Sequence, residues 1–363
     1  MRTVRLMLVT LASLTVVVAA GCTAPARSST PASARVAHPV VRHVFVVNLE
    51  NEDYASTFGS GSQAPYLATT LRSQGVLLSR YYGTAHHSLP NYLAQISGQG
   101  PSQATQRDCG YYTAFRLTRT AAYGQAVGDG CVYPRSVRTI ADQLVAHGFT
   151  WRGYMEDMGT GCRHPALGAR DTTQRAEKGD QYAARHNPFV YFRSITSQSS
   201  CASRDVGLRH LADDLGAVRT TRNLSYITPN LCNDGHDSPC VDGRPGGLTS
   251  ANVWLKRWVP KILASPAYKK DGLLVVTFDE AESGDASGCC GAGATPNVAR
   301  PGITGPGGGR VGAVLLSPYL GHRTSDHPYN HYSLLRSMED WFGLSHLGYA
   351  QTATSFGTDV FGP

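Results

Sequence analysis

The sequence contains no C-x-x-C pair, although nine of its 363 residues are cysteines. Thiolate pairs at that spacing form the knuckles of many structural zinc sites, so a zinc centre of this type is disfavoured. The chain also lacks a concentrated run of basic residues, and its formal net charge of +7 comes from scattered side chains. A nucleic-acid partner is therefore not expected, whereas anionic substrates or anionic surfaces suit this charge.

No long membrane-spanning run is present at the N-terminus, because the apolar stretch 6–20 is shorter than the roughly 20 residues that a spanning helix needs. Arg2 and Arg5 precede this stretch, which is the pattern of a secretory signal. The residues that follow resemble a bacterial lipobox ending in Cys22, and ordinary signal cleavage is the alternative. We expect residues 1–21 to be a signal peptide and the protein to be exported. It would be either a cell-envelope lipoprotein, attached to the membrane through lipidated Cys22, or a secreted protein.

The chain after the signal divides by composition into a short tether and one long folded region. Residues 22–38 are rich in Ser, Pro and Ala and are predicted to be a flexible tether. Residues 39–363 are long enough to bury a substantial core and are expected to form a single domain. Strand-like apolar runs alternate there with segments of helical spacing, without an internal repeat. This alternation predicts an α/β fold with a mostly parallel central sheet and helices on both faces.

Eight cysteines remain when Cys22 is set aside, and an even number in an exported chain indicates disulfides. Cys232 and Cys240 are expected to close a small loop. Nearness along the chain makes two further pairs plausible, Cys109 with Cys131 and Cys162 with Cys201. The adjacent residues Cys289 and Cys290 either bridge to different places or pair with each other.

Two apolar runs end directly in pairs of oxygen-bearing side chains. Residues 44–49 lead into Glu50 and Asn51, and residues 273–278 lead into Asp279 and Glu280. In open α/β sheets, sites form at the carboxyl ends of strands, so the two pairs are expected to meet at one sheet edge. Neighbouring carboxylates repel each other, and a divalent cation is their natural partner. The pattern predicts a metal-assisted hydrolase.

Ser88 lies at the start of a predicted helix over residues 88–97, in which Pro90 occupies the first turn. Helix N-termini present free N–H groups and a partial positive charge, and they bind phosphate well. A serine in this position could attack phosphorus if a metal or a base lowered its proton affinity. The alternative is that Ser88 only caps the helix. His86 and His87 directly before it favour the functional interpretation.

The loop that follows the strand near residue 227 carries Asp234, His236 and Asp237. Their spacing would allow ligation, phosphate contact or proton transfer. The alternative is a polar turn framed by the Cys232–Cys240 disulfide, because Asp and Asn favour turns for local reasons.

Three further groups of polar residues lie near predicted strand or helix ends. His327 and His331 flank the start of the last helix, where one of them could contact phosphate or protonate a leaving group, and helix capping is the alternative. Residues 156–157 are a carboxylate pair after another strand, and they either join the site or are simply exposed. Residues 339–340 are a second acidic pair, interpreted as the solvated face of the last helix.

Five short stretches occur in order along nearly the whole chain after the tether. They are NLEN at 48–51, SLPNY at 88–92, NDGHDSP at 233–239, FDE at 278–280 and HYSLLRSMEDWFGL at 331–344. Together they resemble the bacterial phosphoesterase family of acid phosphatases and phospholipase C enzymes. The resemblance implies an alkaline-phosphatase-like fold with disulfide-stapled loop excursions. The short exported form is similar to secreted acid phosphatases that act on phosphoinositides.

The resemblance also implies roles for the residues that match these motifs. Ser88 corresponds to the nucleophile, and its oxygen would also touch the metal. His236 corresponds to a phosphate contact or acid, and His331 to a further catalytic histidine. His87 is a catalytic candidate because it adjoins a matched motif. One divalent metal ion is expected, held by Glu50, Asn51, Asp279, Glu280 and Ser88.

The sequence thus predicts a metal-dependent acid phosphatase that hydrolyses phosphate monoesters, including phosphoinositides, through a phosphoserine. A phospholipase C-type phosphodiesterase would use the same residues and is the first alternative. A non-catalytic envelope lipoprotein that binds ligands is the second. The expected partners are a phosphate-ester substrate or phospholipid head group, with no nucleic acid, and the protein is expected to be a monomer.

Overall fold

A computed structural model of the protein describes residues 40–282 and 284–362. The predicted signal peptide, the lipidated Cys22 and the tether lie outside these residues. Within the described ranges, no helix is long and apolar enough to cross a membrane.

Strands and helices alternate along the described chain. The strands are β1 His43–Leu49, β2 Val76–Leu78, β3 Tyr81–Tyr82, β4 Arg116–Thr120, β5 Ala126–Asp129, β6 Trp151–Met155, β7 Asp205–Gly207, β8 Leu224–Thr228, β9 Gly272–Phe278, β10 Ala313–Leu316, β11 Arg323–Ser325 and β12 Tyr329–Asn330. The α-helices are α1 Tyr54–Phe58, α2 Ser88–Ser97, α3 Ile140–Ala146, α4 Arg193–Thr196, α5 Cys201–Arg204, α6 His210–Asp214, α7 Gly247–Ala264, α8 Pro266–Asp271, α9 His331–Phe342 and α10 Thr358–Phe361. A π-helical turn spans Tyr66–Leu71, and 3-10 turns span Arg72–Gln74, Thr105–Arg107, Ala122–Gly124, Ala184–His186, Pro188–Tyr191 and Gly348–Gln351.

Eight strands form the central sheet, in the order β11-β2-β10-β9-β1-β8-β6-β7. Every pairing in this sheet is parallel except those of β10, which runs antiparallel to β2 and β9. All residues of β1, β8 and β9 are buried, as expected for parallel strands covered by helices on both sides. The prediction of an α/β fold with a mostly parallel sheet is confirmed.

The three cysteine pairings suggested by the sequence are present as disulfides. Cys109 is bonded to Cys131, Cys162 to Cys201 and Cys232 to Cys240. The adjacent Cys289 and Cys290 are bonded to each other, which decides between the two alternatives for that pair. The first three bridges tie down long connections between sheet strands.

The polar segment 99–134 contains the hairpin of β4 and β5, whose first strand is exposed at every residue and so carries no apolar alternation.

One local interpretation of the sequence was wrong. Glu339 does not lie on a solvated helix face, because its side chain is fully buried. One carboxylate oxygen accepts a hydrogen bond from the Leu347 backbone N–H at 2.9 Å, where the chain folds back after α9. Only its neighbour Asp340 is exposed.

Candidate active site

The ends of β1 and β9 are neighbours, because Leu49 and Phe278 are paired residues in the parallel register. The Asp279 backbone N–H donates to the Leu49 carbonyl at 3.0 Å, which extends this pairing beyond the strands. The Glu50 N–H donates to the Asp234 carbonyl at 3.0 Å, which brings in the loop after β8. The sheet edge therefore collects the carboxylates of Glu50, Asp234 and Asp279, all of them buried.

Ser88 begins α2 and faces this cluster. Its hydroxyl donates to Glu50 Oε2 at 2.8 Å and lies 3.4 Å from Glu280 Oε1. The N-cap of α2 is His87, without a side-chain capping bond, so Ser88 is not the cap that the alternative interpretation required. The structure thus brings the predicted nucleophile into hydrogen-bond contact with a predicted metal ligand.

Asn91, three residues after Ser88, bonds the turn that precedes α2. Its side-chain oxygen accepts from the backbone N–H groups of Thr84 and Ala85 at 2.8 and 3.0 Å. Its amide nitrogen donates to the carbonyls of Ala85 and His87 at 2.7 and 3.0 Å. Asn91 therefore folds the turn that directs Ser88 toward the sheet edge.

Asn51 links the two acidic strand ends. Its backbone N–H donates to Asp279 Oδ1 and its side-chain amide donates to Glu280 Oε1, each at 3.3 Å. Its φ of 39° lies in the left-handed region, which asparagine tolerates better than most residues. The side-chain oxygen of Asn51 is buried and has no hydrogen-bond partner among the described residues.

Several buried oxygen atoms at this sheet edge have no hydrogen-bond partner among the described residues, which makes the cluster suitable for a cation. Within the described part of the chain, buried atoms without a hydrogen bond include Asp234 Oδ2, Asp279 Oδ2 and Asn51 Oδ1. Burial raises the pKa of Glu50 well above its usual value, and Asp279 raises it further. Oxygen ligands of this kind suit a hard divalent ion, and unpaired buried acceptors are costly without one.

A second group of metal-type side chains carries no site. Cys232, Cys240 and Asp242 lie close enough to share an ion. The two sulfurs are, however, bonded to each other in a disulfide, so neither is available as a thiolate ligand.

His186 belongs to the site although sequence reasoning missed it. Its ring lies between two carboxylates, with Nε2 3.3 Å from Glu50 Oε2 and Nδ1 3.5 Å from Asp234 Oδ2. The ring of Tyr92 stacks on it at 5.3 Å, and the Tyr92 hydroxyl donates to Glu50 Oε1 at 2.6 Å. Burial holds the pKa of His186 well below its usual value. His186 ends a 3-10 turn and does not follow a strand, so no apolar run before it marks it as a site residue.

The histidines named from the sequence occupy three different environments. His86 pairs with Glu280 through Nδ1, and its Nε2 contacts the Asp285 carbonyl at 3.0 Å. His87 is exposed, and no side-chain hydrogen bond or ion pair within the described residues joins it to the cluster. His236 is exposed beside the cluster. Its Nδ1 contacts Asp237 Oδ1 at 2.7 Å, and this bond raises the pKa of His236.

His331 lies behind the site and not beside Ser88. Its ring is buried, with Nε2 against the Asp279 carbonyl and Nδ1 3.0 Å from the Tyr81 hydroxyl. Burial lowers the pKa of His331 to about 4, so the ring stays neutral. These bonds let His331 hold the end of β9 in place, and the catalytic role expected for it stays a prediction.

The remaining candidates have structural partners. Glu156 and Asp157 accept hydrogen bonds from Asn230, and Glu156 also accepts from Asn233 at 2.9 Å. They hold the loop after β8 and do not contact Ser88. Asn330 caps α9 by accepting from two backbone N–H groups, which confirms the capping alternative for that helix.

Comparisons with known proteins show which family the chain matches. The family model of the phosphoesterase family matches residues 60–345. A phosphate-repressible acid phosphatase of Penicillium chrysogenum is 27% identical over 278 residues, covering 77% of this chain and 54% of the fungal protein. The phosphatidylinositol-3-phosphatase of Mycobacterium tuberculosis is 26% identical over 324 residues, covering 89% of this chain and 84% of that protein.

Among solved structures, the fold is similar to that of Ps i-CgsB, with a TM-score of 0.50 at 12% identity, covering 88% of this chain and 75% of that one. That identity supports a shared fold alone. The chain spans about half the length of the fungal phosphatase. Since the family model covers most of the sequence and includes Ser88, the loop after β8 and both residues that follow β9, the chain belongs to the phosphoesterase family.

Proposed function

We infer that the protein is an exported, metal-dependent acid phosphatase that hydrolyses phosphate monoesters through a phosphoserine at Ser88. One observation carries this inference. The Ser88 hydroxyl lies 2.8 Å from Glu50 Oε2, at a helix N-terminus, within a cluster of buried carboxylates. A nucleophile, an anion-binding helix end and a cation-suited ligand set at one point are what phosphoryl transfer requires.

The residues that would hold the metal are those whose oxygens converge at the sheet edge. A divalent ion would lower the proton affinity of the serine hydroxyl and neutralise charge on the phosphoryl group. The donors proposed for it are Glu50, Asn51, Ser88, Asp279 and Glu280.

The protein's own side chains divide the remaining work. Ser88 Oγ attacks phosphorus in line, so that a new O–P bond forms as the ester P–O bond breaks. His236 stands at the exposed side of the cluster, where it can protonate the leaving alkoxide. Its raised pKa keeps it protonated in mildly acidic solution, which fits an acid phosphatase. Water then attacks the phosphoserine and releases phosphate. His186, held neutral by burial, has Nε2 beside Glu50 and Nδ1 beside Asp234, and its proposed role is to hold these two carboxylates in place.

Phosphoinositides are the proposed natural substrates. The relative that matches 84% of its own length is named a phosphatidylinositol-3-phosphatase, and the net charge of +7 favours an anionic lipid surface. A vesicle assay with individual phosphoinositides would test this by phosphate release. Equal rates on soluble monoesters and on every phosphoinositide would argue against a lipid substrate.

Export is proposed together with this function, since the basic and apolar N-terminus fits a signal and Cys22 fits a lipidated first residue. Mass spectrometry of the protein from its own cell envelope would test it. A lipid-modified N-terminal cysteine supports the lipoprotein, a mature chain without lipid supports plain secretion, and an intact N-terminus refutes both.

The reaction is tested with a chromogenic phosphate monoester and the matching diester, each with and without a chelator. Monoester turnover that the chelator abolishes supports the phosphatase. Preferential diester turnover would support a phospholipase C-type enzyme, and no turnover of either would support a binding protein.

Ser88→Ala and Asp279→Asn should each abolish turnover. Ser97→Ala is the matched control, because Ser97 lies in the same helix and its hydroxyl bonds backbone groups away from the cluster, the Leu93 carbonyl and the Gln99 N–H. Activity close to wild type in the folded Ser88 variant would refute the assignment.

A further inference from the structure

Arg185 is a buried cation beside the site that no step described above uses. It precedes His186 in the 3-10 turn Ala184–His186, and its side chain is only 6% exposed. Its Nη1 donates to the Gln174 carbonyl at 3.1 Å, and its Nε lies 3.9 Å from Asp108 Oδ2. Within the described residues, Nε and Nη2 donate no hydrogen bond. Neither nitrogen is among the buried atoms that lack a partner, so both are accessible and free to donate to a bound group.

Asp108, the partner of Arg185, stands at the N-terminus of α2. Its Oδ1 accepts from the Leu89 backbone N–H at 2.9 Å, one residue from Ser88. A phosphoryl group on Ser88 would therefore lie close to this carboxylate and be repelled by it. A cation that faces both the carboxylate and the phosphoryl group removes that repulsion.

Arg185 is the permanent cation placed to do this. Its charge acts on Glu50, where it opposes the rise in pKa that burial causes. Among the described residues, no lysine or other arginine pairs with Asp108, Glu50, Asp234, Asp279 or Glu280. A guanidinium also matches the planar spacing of two phosphoryl oxygens better than an ammonium does.

We propose that Arg185 contacts the substrate's phosphoryl group through Nε and Nη2 and thereby selects dianionic monoesters over singly charged diesters. This rests on the proposed phosphatase function. The contact is electrostatic and hydrogen-bonded, so it forms and breaks no covalent bond. A monoester offers three non-bridging oxygens and about two negative charges near neutral pH, whereas a diester offers two oxygens and one charge, so the pairing is stronger with the monoester.

The test measures binding of inorganic phosphate by calorimetry, together with phosphate inhibition and the monoester-to-diester ratio. Arg185→Gln should weaken phosphate binding by about 10- to 100-fold, the range expected for losing charged hydrogen bonds. Arg185→Lys keeps the positive charge without the planar guanidinium, so its phosphate affinity should lie between those of the wild type and the Arg185→Gln variant. Added guanidinium should restore part of the phosphate affinity of Arg185→Ala. Arg152→Gln is the control, because Arg152 is a partly buried arginine whose partner is Asp214.

A double-mutant cycle with Asp108→Asn distinguishes a phosphate contact by Arg185 from a purely structural role of Arg185. If Arg185 only balances Asp108, the double variant should recover phosphate affinity, and recovery to wild type would overturn the proposal. Unchanged phosphate affinity in a folded Arg185→Gln variant would overturn it as well. Failure of the proposed phosphatase function gives a different result, full activity in the Ser88→Ala variant. The measurement of phosphate binding tests Arg185 whether or not that function is correct.

Discussion

Replacing Glu339 with glutamine should make the protein more stable at neutral pH and leave it unchanged in acid. The Glu339 side chain is 0% exposed in α9. Its Oε1 accepts from Leu347 N–H, while Oε2 has no partner within the described residues. Burial raises the pKa of Glu339 to about 9 from 4.5. Glutamine has the same shape as the protonated carboxyl and can accept the same bond.

The magnitude follows from proton linkage. Between about pH 4.5 and pH 9 the folded protein keeps this carboxyl protonated, while the unfolded chain ionises it. The folded state binds one more proton, so the free energy of unfolding falls by about 1.4 kcal/mol for each pH unit in this window. Glutamine does not titrate, and the variant escapes the loss. Its advantage over wild type should therefore grow to at most about 4 kcal/mol between pH 5 and pH 8.

The assay is urea unfolding of both proteins at pH 5, 6, 7 and 8, with the free energy of unfolding obtained from midpoint and slope. Glu177→Gln, at an exposed position, controls for the loss of one acidic side chain. The expected result is a stability difference between the Glu339 variant and wild type that widens as pH rises. Parallel pH curves for these two proteins would refute the reasoning.

Three further outcomes are expected from the site. Tyr92→Phe keeps the ring that stacks on His186 but loses the 2.6 Å bond to Glu50, so kcat should fall by about tenfold, measured with a soluble monoester. Asp237→Ala removes the bond that raises the pKa of His236, so the alkaline limb of the kcat profile should move to lower pH; an unmoved limb would exclude His236 as the acid. Dialysis against a chelator should abolish turnover, and readdition of a divalent ion should restore it; full activity after verified metal removal would exclude a metal-dependent reaction.

The ends of β1 and β9 were predictable from the sequence, and so were the site residues that directly follow them. The apolar runs before Glu50 and Asp279 are continuous, because parallel strands are buried on both faces. Such runs are visible in the sequence, as is the residue that follows each one. The start of α2 at Ser88 was equally visible, since proline in the first turn and glycine after the end mark its limits. Three of the four disulfides were recoverable because their partners are near each other along the chain, whereas the bond between Cys289 and Cys290 was decided by the structure.

The other half of the site depends on long-range packing. His186 reaches Glu50 from a 3-10 turn 136 residues further along the chain, and Arg185 reaches Asp108 from 77 residues away. His331 shows the reverse, because its sequence neighbourhood predicts catalysis while the packing of α9 turns its ring toward a backbone carbonyl.

Periodicity and end signals act over a few residues, so the sequence by itself determined the fold class, the strand ends at Glu50 and Asp279, and the position of Ser88 at a helix start. Only the tertiary structure decided which histidines and which arginine surround that serine, and that Glu339 is buried. The physical reason is that burial and contact between distant segments depend on how the whole core packs, and local patterns do not record this.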